Sequence, residues 1–198
     1  MKENAKSSLP GIPTLLGLLV LALGVAALFL NGAAHKQPVP MVVAALLGFV
    51  VMFLMAGLYK LEPNQSAVLS LFGKYVGTVK DNGLRWNNPF FSKRKVSLRI
   101  RNFESSRLKV NELDGSPIEI AAVIVWQVVD SAEAVFNVDD YESFVHIQSE
   151  AALRAMASSY PYDQHEEGQI ALRSHPQEIS QHLQEQIAER LGKAGVDV

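Results

Sequence analysis

Residues able to do chemistry are scattered through this chain. His165-Glu166-Glu167 opens like a helical zinc motif, but Ile170 and Ala171 stand where a second histidine would be needed. His175 and His182 lie seven apart on a stretch with helical spacing, and two histidines without a third ligand make a poor metal site. Asp139-Asp140 offers a carboxylate pair for acid–base work, yet it sits where a helix needs a capping side chain, which is the simpler reading. Serines 7, 8, 105, 106, 158 and 159 come in doublets with no His/Asp pattern beside them. The chain has no cysteine, which removes thiol nucleophiles, disulfides and Cys-based zinc sites. Phosphate loops, dinucleotide fingerprints and nucleophile elbows are absent as well. The expectation is therefore no catalytic residue, no cofactor and no metal.

One local constellation remains. Trp86, Phe90 and Phe91 run directly into Lys93, Arg94 and Lys95. Rings beside cations suit a lipid headgroup boundary, with apolar bodies at the acyl edge and charges on phosphates. The competing reading makes the rings core and leaves the bases solvated. Nucleic acid is a poor fit to the same stretch, given what flanks it.

Those flanks are apolar. Residues 12–30 and 39–59 are uncharged runs of 19 and 21 residues. At 1.5 Å per residue each is long enough for a hydrocarbon core of about 30 Å. Only a helix satisfies its own backbone there without pairing to another segment. Asn31-Gly-Ala-Ala34 resembles a signal-cleavage site, but the apolar run before it is long for a signal peptide. The turn-rich connection 31–38 predicts a transmembrane helical hairpin behind an N-terminal tail, 1–11. Lys2, Lys6 and Lys60 flank the outer ends and Lys36 the short loop, so the positive-inside rule places both termini in the cytoplasm.

Charge divides the remainder. Residues 60–110 carry 11 Lys/Arg against 3 Asp/Glu, net +8, and residues 111–198 carry 4 against 16, net −12. The basic half follows the apolar pair, where anionic lipid would attract it.

The pattern over 61–198 predicts an α+β domain, strands first and helices after. Strands are expected at 66–72 and 76–80, followed by an Asp81-Asn82-Gly83 turn and an aromatic loop over 84–91. Val96, Leu98 and Ile100 alternate with polar residues as in a half-buried strand, and 103–110 continues as another. Leu113-Asp-Gly-Ser116 signals a hairpin, and the β-branched run 118–129 suggests a central strand covered on both faces. Helices are expected from Asp130 or Ser131 to Phe136, over 141–159 with Tyr141, Phe144, Gln148, Ala151, Ala152 and Ala155 at helical spacing, and over 176–191 with Ile179, Leu183, Ile187 and Leu191 in one stripe. Val196-Asp-Val198 reads as the start of another strand, so the domain is expected to be incomplete at its C-terminus.

The stretches LEPNQSAVLSLFGKYVGTVKDNGLRWNNPFF, KVSLRIRNFES, DGSPIEIAAVIVWQVVD and AVFNVDDYESFVHIQSEAALRAMASSYPYD, taken in this order, resemble the SPFH (Band 7) family of stomatin, prohibitin and flotillin. The two-span anchor resembles a bacterial subgroup. The resemblance implies a multi-pass protein of the bacterial inner membrane, its soluble domain cytoplasmic. It implies a non-enzymatic scaffold whose partners are the lipid bilayer and further copies of itself in ring-like homo-oligomers that organise membrane microdomains. The alternative is a dedicated regulatory subunit of a membrane protease or transporter; an undetected membrane-associated hydrolase is a weaker one. The family usually continues into a long coiled-coil helix, which this sequence stops short of.

Overall fold

The computed structural model describes residues 3–164 and 169–198. Lys2 and the His165-Glu166-Glu167 motif lie outside the described residues. The rest forms two compact units, residues 4–97, and residues 98–198 together with Glu3.

The first unit opens with residues 4–6 laid along a later strand. β1, Leu9–Pro10, then leads into α1, Gly11–Ala34. α1 closes on a Schellman arrangement with Lys36 at the left-handed position (φ 51°): Gln37 N–H donates to the Gly32 carbonyl at 2.9 Å and Lys36 N–H to Ala33 at 3.2 Å. Pro38 starts α2, Pro38–Met55, its fixed φ suited to a first helical position. The connection is thus residues 35–37, shorter than the 31–38 expected, because the capped α1 absorbs Asn31–Ala34. The two helices pack through Gly32 against Pro40 and Met41, and through Gly48 against Val25. Their remaining surface is bare: Leu16, Val20, Leu23, Leu30, Leu46 and Phe49 are all exposed. Helices this apolar and this uncovered are not the core of a water-soluble unit.

α2 ends four residues before the expected 59. Leu58–Leu61 is strand β2, its backbone committed to a ladder rather than to a further helical turn. β3, Gln65–Leu71, and β4, Lys74–Val79, form a hairpin, and β6, Ser92–Ser97, pairs on the other side of β3, giving the order β4-β3-β6. Thr78 N–H donates to the Asn4 carbonyl and Lys6 N–H to the Thr78 carbonyl, so the N-terminal segment extends this sheet at β4. Tyr59, Leu61, Ala67, Leu69 and Val79 make the core, with Phe91 packed against it.

β5, Gly83–Trp86, takes the first part of the stretch read as an aromatic loop. It lies between β1 and β2, antiparallel to both: Leu9 and Leu58 both face Trp86 across the ladder. The alternation through Ile100 does not make one strand. β6 ends at Ser97 and Ile100 is 69% exposed, because the chain passes there from one unit to the next.

In the second unit the 103–110 stretch splits into β7, Arg101–Glu104, and β8, Leu108–Asn111. β8 turns through Leu113–Ser116 into β9, Pro117–Ile120. β10, Val123–Val128, is central between β7 and β11, Val196–Asp197. The expected two-sided covering fails twice. The run breaks after Ile120, and β10 buries Ile124, Trp126 and Val128 while Val123 and Val125 stay exposed. β-branched side chains favour extended backbone on a wet face as well as a dry one, so they do not report burial by themselves.

Asp130 caps α3, Ser131–Phe136, and Asp140 caps α4, Tyr141–Ser159. The buried side of α4 is Val145, Ser149, Ala152, Leu153, Met156 and Ala157, rotated from the expected face and sharing only Ala152 with it. Leu153, Met156 and Ala157 join Leu108, Val110 and Ile179 in the core. α5, Pro176–Leu191, buries Ile179, Ile187 and Leu191 of the expected stripe, and Leu183 is half-buried against the same cluster.

Candidate membrane-interface site

Strand β5 holds both ends of the helical pair. β1 runs straight into α1 and β2 leaves α2 within three residues, and both bond to β5. The approach at α1 is close. A Cβ on Gly11 would lie 2.5 Å from the Leu84 backbone, so only glycine fits there.

The C-terminal end of α2 has carbonyls with no intrahelical donor, as every helix does. Trp86 Nε1–H donates to the Leu54 carbonyl at 2.8 Å, and Lys93 Nζ donates to Ala56 at 3.3 Å. Asn87 N–H donates to Gly57 at 3.1 Å. A cation at this end also complements the helix dipole. Beneath it, Asn87 Nδ2 donates to the buried Tyr59 hydroxyl at 2.7 Å, and Lys93 Nζ stands 5.4 Å from the Tyr59 ring. Burial raises the Tyr59 phenol above its ordinary value and lowers the Lys93 ammonium below its own. Phe90 packs on Phe53 of α2 with ring centroids 5.0 Å apart and is otherwise 61% exposed.

Of the six residues singled out from sequence, Trp86, Phe90 and Lys93 converge on the end of α2. Phe91 turns inward onto the sheet core, with Lys6 Nζ 5.9 Å from its ring. Arg94 and Lys95 project from β6 into solvent. Tyr59, Asn87, Phe53 and Gly11 complete the collar. Nothing near them in sequence marked them, because the partners of Tyr59, Asn87 and Phe53 lie 28 to 37 residues away and Leu84, which Gly11 approaches, lies farther still.

Several of the other reactive-looking residues have structural work. Asp140 accepts from the Ser143 hydroxyl at 2.6 Å and from the Glu142 and Ser143 N–H groups; the Ser143 contacts lead in holding it below the ordinary carboxylate value. His182 Nδ1 and the Tyr160 hydroxyl share a hydrogen bond of 2.6 Å. His175 Nδ1 accepts from the Ala171 N–H. Ser105 accepts from Ala122 N–H, Ser106 donates to Glu150, and Ser159 donates to the carbonyl one helical turn back.

An α+β domain preceded by two uncovered apolar helices is the plan of a membrane-associated protein. The family model of the SPFH domain / Band 7 family matches residues 59–198, and the chain belongs to that family. The match begins at Tyr59 in β2, so α1 and most of the collar that receives α2 fall on either side of its edge. The family is one of membrane-associated, scaffold-like proteins that oligomerise. No curated protein matches the chain.

Proposed function

We propose that this chain is a non-enzymatic scaffold of the bacterial inner membrane. It crosses the bilayer twice, keeps both termini and its domain on the cytoplasmic face, and self-associates to organise or recruit other membrane proteins. The observation that carries this reading is the shared clasp of β1 and β2 on β5. A helical pair whose two ends are stapled to one strand of the domain transmits the position of the bilayer to that domain, which a free linker would not. Trp86, Phe90 and Lys93 then lie at the level of the headgroups, where amphipathic side chains are favoured. Arg94 and Lys95, exposed on β6, add positive charge close to anionic lipid.

Self-association is supported by charge. Residues 60–110, which follow the spans in sequence, are basic and residues 111–198 acidic, and on α5 Glu178, Glu185 and Glu189 are all exposed. Contacts between unlike surfaces of identical subunits are heterologous and generate rings when they close. The test is extraction in mild detergent from the native membrane, followed by identification of every stoichiometric component. This chain alone, in many copies, supports the scaffold. One fixed companion, such as a membrane protease or transporter, would make it a dedicated regulatory subunit instead.

A further inference from the structure

The β3–β4 hairpin turns on two residues, Phe72 and Gly73, with φ of 47° and 83°. Positive φ at both central positions is the type I′ turn, where Asn-Gly is the favoured pair. Gly73 fits, but a bulky aromatic at a left-handed position is out of place. Phe72 gains nothing from the fold in return, being 91% exposed, the most exposed of the large apolar side chains described. Elsewhere in the same unit, the β2–β3 turn fills its left-handed position with Asn64, as turn chemistry prefers (φ 56°).

Register fixes where the tip points. Ser70 of β3 pairs with Ser92 of β6. Two residues on from Ser70 is Phe72, and two residues back from Ser92 is Phe90, the ring packed on the end of α2. Lys93, beside Ser92, donates to the carbonyl of Ala56, the residue that caps α2. The tip therefore leaves the sheet at the helical end of the unit, while Asn64 lies at the opposite end of β3, roughly 20 Å away at strand rise. The strands β3, β4 and β6 carry four Lys/Arg, including Lys74 next to the turn, and no Asp or Glu.

We infer that the Phe72–Gly73 turn is a second membrane contact, in which the Phe72 ring enters the boundary between headgroups and acyl chains of an anionic bilayer and Lys74 meets lipid phosphate. This rests on the reading of α1 and α2 as membrane spans and adds a point of attachment that those spans do not supply. With both helix ends held on β5 alone, the unit can still rock about the line of that strand. A ring immersed at the hairpin tip fixes its tilt against the lipid surface.

Because the chain has no cysteine, single sites can be labelled cleanly. Full-length Phe72→Cys, Phe90→Cys and Asn64→Cys are each labelled with an environment-sensitive fluorophore. Each is then reconstituted in phosphatidylethanolamine–phosphatidylglycerol vesicles containing lipids with a nitroxide quencher high on the acyl chain. The expected result is blue-shifted emission and strong lipid quenching at 72 and 90, several-fold above that at 64. A label at Lys74→Cys provides a second reading that leaves the ring in place. Adding Phe72→Asn, which suits the turn and so preserves the hairpin, should lower its quenching several-fold. Quenching at 90 without quenching at 72 overturns the tip contact and leaves the collar standing. Blue-shifted emission at 72 without lipid quenching means the ring is buried in protein, which also overturns it. Absence of quenching at both 72 and 90 removes the collar reading too.

Discussion

The Trp86 indole adds a side-chain donor to the Leu54 carbonyl at the end of α2, which also accepts from the Gly57 N–H, and so ties the last turn of the helix to β5. Trp86→Phe keeps the ring and deletes the donor. The expected outcome is faster hydrogen exchange at the amides closing α2 with unchanged helical content, measured in lipid nanodiscs. The Asp130 and Asp140 caps were legible in the sequence because a cap and its recipient lie within three residues. The Trp86 bond spans 32 residues and had no local sign. Three carboxylates of the second unit are set below their ordinary values. At Glu112 burial acts upward but is outweighed by donation from the Asp114, Tyr162 and Ser116 N–H groups. At Asp140 and Glu150 the hydroxyls of Ser143 and Ser106 lead. Depressed carboxylates hold fewer protons folded than unfolded, so their stabilisation is complete above the ordinary values of 3.8 to 4.5 and drains away as pH falls below them. The urea midpoint followed by Trp126 emission, in a Trp86→Phe background, should drop on acidification. Glu112→Gln should flatten that drop.

Helices survive the passage from sequence to structure better than strands here. α3, α4 and α5 begin and end where capping and proline placed them. Their signals are local and repeat every turn. The long β-like runs were over-read: 96–100 and 103–110 are cut by the passage between units and by a connection at 105–107, and 118–129 by Ala121-Ala122. Extended propensity shows that a segment is strand-like and leaves open which strand will receive it. The α4 face was misplaced for a related reason. Tyr141, Phe144 and three alanines mark a stripe, while contacts from β8 and α5 chose the one carrying Leu153 and Met156. For the apolar pair, composition was decisive, and only the ends moved, once Schellman geometry closed α1 and the β5 ladder claimed Leu58 and Tyr59. Leu47→Arg, near the middle of α2, should cost about 3 kcal/mol of insertion. A glycosylation-site reporter in the 35–37 connection would reveal it as a fraction of chains failing to translocate the hairpin.

On the scale of the molecule, the chain joins two properties that a scaffold needs. One is a shared strand, β5, that pairs with the strands at both ends of the apolar helical pair, which under the proposed function fixes the domain's attachment to the bilayer. The other is an uneven charge distribution that favours unlike surfaces meeting between copies. The family was legible in the order of its segments, and the anchor in its composition. The collar joining them was legible only as a cluster of rings and bases at 86–95, since its meaning depends on where α2 ends. The central claim is self-assembly at the membrane, and the most direct measurement is the mass of the particle formed by the intact chain in nanodiscs or mild detergent, beside that of a variant carrying Glu178→Gln, Glu185→Gln and Glu189→Gln together. A large homo-oligomer that shrinks or dissociates in the variant, and loosens in high salt, is the predicted result. A monomer in both would contradict it, and an equally large particle in both would refute the charge pairing on α5 as the contact that holds it.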